Sequence, residues 1–253
     1  KIYPMMVTDK SELTQIWKDW GFTAYDDETL IALMADLLER VPPYIRMNRV
    51  YRDIPAHQIL HGSHLANLRQ ISEELLVSRG GLVVDTASRE VKGKTFDTEN
   101  IHLVNRAYEA SLGQEYLLSF EEKNVKNPYI HKDNGYIRTP EKAPDNATLY
   151  ALLRLRIPSQ HFSHESHFLP VLQNAAIIRE IHTFGEQLAL WSRADDAIQH
   201  QGLGKNLVAE AERIVRKQYP TITKIAVIAW VGVRPYFEKL GYILEDTYMV
   251  KYL

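Results

Sequence analysis

The chain has 253 residues, 45% of them hydrophobic and 25% charged, and a formal net charge of −2. These values describe a globular chain with one large domain or two smaller ones, and any attraction to nucleic acid must come from a local basic patch. The sequence holds no cysteine, which excludes disulfides, thiolate nucleophiles and cysteine-bound iron–sulfur clusters from its own chemistry. It has no signal-like N-terminus and no apolar run near the ~20 residues of a membrane span, so we expect a cytoplasmic protein without a membrane partner.

The first predicted elements are helices and a strand in alternation. Residues 27–41 place apolar side chains on one helical face, between an aspartate cap and a Pro-Pro stop. Residues 44–51 alternate and favour a strand, and residues 58–78 favour a second helix, as in repeated α/β units. The stretch 79–96 lacks clear periodicity, so we expect a connector and a domain boundary there.

The second half of the chain reads as strands followed by helix and strand in alternation. Four β-like runs predict an antiparallel meander at residues 101–110, 115–122, 148–157 and 175–184. After Gly202 the pattern predicts a helix at 203–218, a strand at 224–230, a short helix at 234–240 and a closing strand pair at 242–253. This order indicates an α+β fold with a mixed sheet.

The motif with the most chemical content is the Q-x-x-G-x-G sequence of residues 199–204, which runs directly into the predicted helix. Glycines let backbone N–H groups approach a phosphate closely, and a helix N-terminus adds unpaired donors and a positive dipole end. The motif is neither a P-loop, which needs G-x-x-x-x-G-K-[ST], nor a dinucleotide fingerprint, which needs a third glycine. By itself it leaves two interpretations open, a diphosphate site and a simple turn.

Together with its neighbours, this motif resembles the CoA-binding core of the GNAT acetyltransferases. The chain is also similar to the acetyltransferase domain of the Elongator catalytic subunit family, in the runs AIIREIHTFG, QHQGLGKNLVAEAERIVRK, KIAVIAWVGVRPYFEKLGY and YMVKYL. Upstream, the runs that resemble the end of that family's radical-SAM domain and its linker are VPPYIRMNRVYRDIPAH and GSHLANLRQ. The resemblance implies a remnant of a radical-SAM, partial TIM-type barrel at 1–57, a linker at 58–96 and a GNAT fold at 97–253.

The resemblance also implies a function. Members of the family modify the wobble uridine, U34, of tRNA, so we expect acetyl-CoA as cofactor, tRNA as partner and thioester hydrolysis that tRNA stimulates. Other Elongator-like subunits or a second copy are further expected partners. SAM and a [4Fe–4S] cluster would belong to a part upstream, because no cysteine is present. The chain begins at Lys1 rather than at methionine, which fits a fragment of a longer protein.

Residue by residue, the resemblance implies a cofactor site on the last meander strand, the glycine motif and the short helix. The strand before the motif would splay from its neighbour and offer backbone groups to the pantetheine and thioester. The expected cofactor-binding residues are Glu180, Ile181, His182, Thr183, Gln199, Gln201, Gly202, Leu203, Gly204, Lys205, Tyr236 and Phe237.

Three of these residues are candidates for catalysis. Tyr236 would donate to the leaving sulfur, since thioester cleavage needs that thiolate protonated or hydrogen-bonded. Glu180 and His182 alternate on one strand face and would form a base or water-activating pair. The alternatives are a tyrosine packed between helix and sheet and a solvated pair of strand side chains. Relatives tend to have two adjacent tyrosines where this chain has Tyr236 and Phe237, so only the first hydroxyl is available.

Two groups of histidines have the composition of metal ligands, but we expect no metal. The HFSHESH run contains His161, His164, Glu165 and His167, without the H-E-x-x-H frame of a zinc helix. The histidines at 57, 61 and 64 share one face of the predicted second helix, which favours a polar linker helix. Many relatives bind zinc through cysteines in the connector, where this chain has Val84 and Thr86.

Arginines are concentrated between residues 39 and 70 in a chain of negative net charge. Such clustering is the pattern expected where a protein contacts a phosphate backbone, and the alternative is ordinary surface charge. Tyr44 and Tyr51 would add stacking surfaces for RNA bases. The expected RNA-binding residues are Arg46, Arg49, Arg52 and Arg69.

Two other functions stay open from the sequence. One is a GNAT N-acetyltransferase that acts on a protein lysine or a small amine without RNA. The other is a non-catalytic tRNA-binding module that keeps the CoA fold but does not turn over. Activity without RNA would favour the first, and RNA binding without thioester cleavage would favour the second.

Overall fold

A computed structural model describes the chain in five ranges, residues 1–51, 54–91, 101–122, 147–184 and 202–253. These residues form two compact units, one within Lys1–Arg89 and the other from residue 90 onward. Across the five ranges, every helix is too short or too polar to cross a lipid bilayer.

The first unit is built from helices and one small antiparallel sheet. Its helices are α1 Leu13–Trp20, α2 Asp27–Glu39, α3 Leu68–Ser78 and α4 Thr86–Arg89, and its strands are β1 Val7–Thr8 and β2 Ile59–His61. The Asp26 carboxylate caps α2 by accepting from Thr29 N at 2.7 Å, as the sequence predicted. Apolar residues of α2 and α3 share one core, including Leu30, Met34, Leu38, Leu68 and Leu76.

The predicted strand at 44–51 is wrong. Its backbone bonds go to separate partners rather than to one strand ladder: Thr86 N donates to Ile45 O at 2.9 Å, and Ile2 N donates to Arg49 O at 2.8 Å. Met47 N donates to the buried carboxylate of Asp85 at 3.0 Å. The alternating pattern therefore belongs to an irregular segment, which hydrogen bonds from other parts of the unit hold in place.

The predicted helix at 58–78 is correct only in its second half, where α3 lies. Residues before it form a 3-10 turn and β2, and Gly62 follows with φ +113°, a conformation no α-helix contains. The predicted histidine face is therefore wrong as well. His61 instead stacks on Trp17 at 5.3 Å between ring centroids and accepts from Ala24 N at 3.0 Å.

The second unit has the predicted mixed sheet. Its strands are β3 Ile101–Ala110, β4 Gly113–Glu122, β5 Leu149–Ile157, β6 Ala175–Thr183, β7 Lys224–Ile228, β8 Ile243–Glu245 and β9 Tyr248–Tyr252. The order in the sheet is β3-β4-β5-β6-β7-β9-β8, with β6 and β7 parallel and the other neighbours antiparallel. The meander of β3 to β6 and the mixed sheet are thus confirmed.

The helices of this unit are α5 Ser159–Ser163, α6 Leu203–Gln218 and α7 Arg234–Glu238. Buried residues recur along α6 at helical spacing, so one face of the helix packs on the sheet. Glu212, which is nearly buried, anchors α6 to β9 through Lys251 Nζ, at 2.9 and 3.0 Å from its two carboxylate oxygens. The buried Tyr242 hydroxyl donates to the same carboxylate at 3.2 Å. These bonds fix α6 against the chain that follows α7.

Candidate functional site

The candidate site begins where β6 and β7 part. Their parallel pairs run from Ala175 with Lys224 to Ile178 with Val227, the last pair within the described residues. Residues 180–183 continue β6 and stay paired with β5 alone among the described strands, after an irregularity in register beside Arg154. Backbone groups on the β7 side of this segment therefore face a gap in the sheet formed by the described strands. A splayed strand of this kind was expected at residues 180–183.

The first turn of α6 supplies backbone donors. Gly202 is the N-cap of the helix, in the left-handed region with φ 73°, and it provides no side-chain cap. Asn206 N is the first donor within the helix, to Gly202 O at 3.0 Å. The N–H groups of Leu203, Gly204 and Lys205 therefore have no acceptor within the helix. They lie at the positive end of the dipole of this 16-residue helix.

Gly204 brings the three parts of the site together. A Cβ added at Gly204 would lie 3.0 Å from the Tyr236 hydroxyl oxygen and 3.8 Å from Ile181 Cδ1. Residues from β6, α6 and α7 therefore meet at one point, where a side chain larger than hydrogen would close the space. Because glycine has no Cβ, a phosphate could approach the backbone N–H groups at this end of the helix closely.

Tyr236 and its neighbour Phe237 have different environments. The Tyr236 side chain stays 36% exposed, and burial of the rest raises the pKa of its phenol above the ordinary value of 10.0. Phe237 is buried, with its ring edge-on to Tyr236 at 5.2 Å and to Tyr242 at 5.4 Å. The structure therefore puts the phenol at the site and the phenyl ring in the core behind it.

Glu180 and His182 lie on the splayed segment. Among the described residues, no hydrogen bond or ion pair joins their side chains. The Glu180 carboxylate accepts from Arg154 Nε at 2.9 Å, in an ion pair across β5 and β6. His182 is exposed and stacks on Phe184, with ring centroids 4.6 Å apart. Their assignment as a general-base or water-activating pair stays a prediction. Arg154, the ion-pair partner of Glu180, was not predicted from the sequence. Only the β5–β6 register places Arg154 opposite Glu180.

The remaining predicted site residues divide into two sets. Thr183 ends β6, and Leu203 and Lys205 belong to the first turn of α6, with Leu203 buried and Lys205 exposed. Gln199 and Gln201 lie outside the described residues.

The histidine-rich run forms part of a different region of the second unit. His161 packs edge-on against Tyr219 at 5.4 Å, and burial lowers the pKa of its imidazole, with a smaller contribution from His164. The His167 Nδ1 atom accepts from Leu169 N at 3.0 Å. In the described ranges no three histidine, aspartate or glutamate side chains gather as a metal site would require. The expectation of no metal stays a prediction.

The predicted RNA-binding arginines occupy unlike positions. Arg49 is exposed, Arg46 donates to the Asn48 side chain at 2.8 Å, and Arg52 lies outside the described residues.

Arg69 is held inside the first unit. Its guanidinium lies 2.7 Å from Glu73 Oε1, 2.8 Å from Asp85 Oδ1 and 2.6 Å from Ser88 Oγ, and it also donates to Met47 O. Because these partners use its donors internally, we assign Arg69 to the stability of this unit.

Replacement of Arg69 with methionine is expected to lower the free energy of unfolding by about 2 kcal/mol, because the buried Asp85 carboxylate loses its cationic partner. Urea denaturation measures this change. The control is Arg49→Ala, on the exposed surface, with an expected change within about 0.5 kcal/mol. Equal unfolding free energies for wild type and Arg69→Met would contradict the assignment.

The chain is similar to known proteins over its full length. Residues 1–76 match the family model of the Radical_SAM C-terminal domain. The chain is 35% identical to Elongator complex protein 3 of Dictyostelium discoideum, over 100% of this chain and 41% of that protein. It is 36% identical to the tRNA uridine(34) acetyltransferase of Dehalococcoides mccartyi (strain CBDB1), over 100% of this chain and 50% of that protein. The solved structure of the archaeal Methanocaldococcus infernus Elp3, with an N-terminal deletion, matches at a TM-score of 0.79 and 34% identity, over 100% of this chain and 55% of that chain.

The chain thus spans half or less of the length of these two curated relatives. The domain model extends to residue 76, beyond the predicted end of the first domain at 57, and the compact units divide after Arg89. The division at 57 and 96 stays a prediction. The identity over the full chain, together with the matching fold, shows the relationship that the motifs indicated. Over its full length the chain is therefore related to one part of Elongator complex protein 3 and of the tRNA uridine(34) acetyltransferases.

Proposed function

We propose that the second unit binds acetyl-CoA, with the diphosphate at the first turn of α6 and the thioester between β6 and Tyr236. The observation that carries this proposal is the meeting of Gly204, Ile181 and the Tyr236 hydroxyl within van der Waals distance of one added carbon. The alternative interpretation, a simple glycine turn before a helix, does not explain why the Tyr236 phenol and the splayed part of β6 meet at Gly204.

The backbone supplies most of the binding chemistry. Leu203, Gly204 and Lys205 would direct their N–H groups at the diphosphate, and the positive end of the α6 dipole favours its charge. The exposed Lys205 adds a cation in the same turn. Those backbone groups of residues 181–183 that lie on the β7 side of the strand, and so face the gap, would hold the pantetheine arm and polarise the thioester carbonyl.

Tyr236 would act on the leaving group. When bound, acetyl-CoA supplies an activated acyl group whose departure from sulfur needs a proton or a hydrogen bond. Burial raises the pKa of the Tyr236 phenol, so the hydroxyl keeps its proton at neutral pH and can donate it. Glu180 would be a base only after release from Arg154, so we place water activation at His182 first.

We further propose that the acceptor is the wobble uridine of tRNA. The name of the Dehalococcoides mccartyi relative states that substrate, and the similarity to that protein extends over 100% of this chain. The whole reaction would also need SAM and a [4Fe–4S] cluster held outside these 253 cysteine-free residues. Elongator-like subunits or a second copy of the chain are the proposed protein partners, and the cytoplasm is the proposed location.

The test is free-thiol release from acetyl-CoA by this chain, with and without a tRNA that carries uridine at position 34. We expect release that the tRNA increases, and a tRNA with cytidine at that position serves as the control. Release that is the same with and without tRNA, but rises with a lysine peptide, would favour a GNAT N-acetyltransferase instead. RNA binding without any release would favour a non-catalytic tRNA-binding module.

A further inference from the structure

The loop that joins β7 to α7 exposes a group of apolar side chains. Trp230 is 87% exposed, Val231 75% and Val233 44%. Single exposed apolar residues are common on soluble proteins, but neighbours gathered around an indole commonly mark a binding surface. We call these three residues the Trp230 loop.

The Trp230 loop is tied to the candidate site through the backbone. Val233 N and Arg234 N both donate to Trp230 O, at 2.8 and 3.2 Å, so the turn that leads into α7 starts at Trp230. The same helix carries Tyr236. The loop also follows β7, since Trp230 lies two residues after Ile228, at the end of the strand where pairing with β6 stops. Trp230 therefore follows the end of β7 beside which we place the thioester.

The chemistry around Trp230 favours an anionic ligand with flat rings. Residues 229–237 include Arg234 and no acidic side chain. Arg234 begins α7 directly after the Trp230 loop and is partly exposed, so it adds a positive charge close to the indole. An aromatic face next to a cation is how proteins hold unstacked bases of single-stranded nucleic acid. A purely apolar peptide would offer no anionic partner to the Arg234 guanidinium.

We propose that Trp230 is a stacking platform for an unpaired base of the RNA acceptor, and that it presents the nucleotide to the acyl group at Tyr236. This inference rests on the proposed function, because it takes RNA as the acceptor. It adds a specificity-determining residue outside the cofactor cradle. The Trp230 indole stacks on the base, and Arg234 neutralises a neighbouring phosphate.

The experiment measures affinity by fluorescence anisotropy for a labelled anticodon stem-loop RNA with uridine at the wobble position. Trp230→Ala is expected to weaken binding by about tenfold, the size typical of one lost base–aromatic stack. Trp230→Phe keeps an aromatic face and is expected to stay within about threefold of wild type. Trp20→Ala removes an indole of matching exposure, 85%, in the first unit and is expected to leave the affinity unchanged.

A second RNA separates stacking from general attraction. The same stem-loop with an abasic wobble nucleotide should bind wild type more weakly, and Trp230→Ala should cause no further loss with it. Equal losses for the two RNAs, no loss with Trp230→Ala, an equal loss with Trp20→Ala, or no binding of the stem-loop by wild type would each overturn the inference. Calorimetry with acetyl-CoA on the wild-type chain is read separately. If calorimetry showed no binding of acetyl-CoA, the proposed function would be refuted, while the anisotropy results would still decide the role of Trp230.

Discussion

Replacement of Gly204 with aspartate is expected to weaken acetyl-CoA binding by about 100-fold, as measured by isothermal titration calorimetry. The Cβ of the new residue would lie 3.0 Å from the Tyr236 hydroxyl oxygen, which is closer than a carbon and an oxygen normally approach. Its carboxylate would also place negative charge where we put the diphosphate, at the end of α6 that favours anions. Steric and electrostatic effects therefore act in the same direction.

Two further variants separate these effects. Gly204→Ala adds the methyl group without the charge, and the Tyr236 hydroxyl is the end of a side chain that can shift, so we expect a loss of about tenfold or less. Gly232→Asp adds the same charge at a glycine where an added Cβ meets nothing within 4 Å, and we expect acetyl-CoA affinity near that of wild type. Unchanged affinity in Gly204→Asp would show that the diphosphate does not bind at α6.

Replacement of Tyr236 with phenylalanine is expected to slow thiol release by about 100-fold while acetyl-CoA affinity stays within a few fold. The change removes only the hydroxyl, so the ring that packs edge-on to Phe237 remains. Single-turnover release and calorimetry together distinguish a lost proton donor from lost binding. An equal fall in affinity and in rate would instead make Tyr236 a binding residue.

The pH dependence of the wild-type chain gives a second test of the phenol. Burial raises the pKa of Tyr236 above 10.0, and the acid form is the one that donates, so its contribution is present at lower pH and lost only above that raised value. We expect no decline in thiol release from this group up to about pH 10. The control variant is Tyr252→Phe, on an exposed tyrosine of β9 that pairs with Lys224 at the opposite end of β7. Its release rate should equal that of wild type.

Secondary structure in the second unit could be predicted closely because its patterns are long and have clear ends. The predicted strand at 101–110 and helix at 203–218 coincide with β3 and α6. The first unit was harder, since the alternating segment 44–51 takes its bonds from several separate segments and from Asp85. Only three-dimensional neighbours decide whether an extended segment joins a sheet.

The candidate site shows the same limit. The motif and the resemblance together placed Gly204, Ile181 and Tyr236 in one site, and the structure brings them into contact distance. They could not reveal that Glu180 is paired with Arg154, because an irregularity beside Arg154 shifts the β5–β6 register. The sequence likewise could not reveal the partners of Arg69 within the first unit, since one of them, Met47, lies 22 residues away along the chain. The assignment of Arg69 to RNA binding stays a prediction.

The most direct test of the central claim is a crystal structure of this chain with a non-hydrolysable thioether analogue of acetyl-CoA. We expect the diphosphate oxygens at about 3 Å from the N–H groups at the start of α6, and the analogue's sulfur within hydrogen-bond reach of the Tyr236 hydroxyl. A diphosphate bound away from α6, or a sulfur on the far side of the sheet from Tyr236, would contradict the central claim.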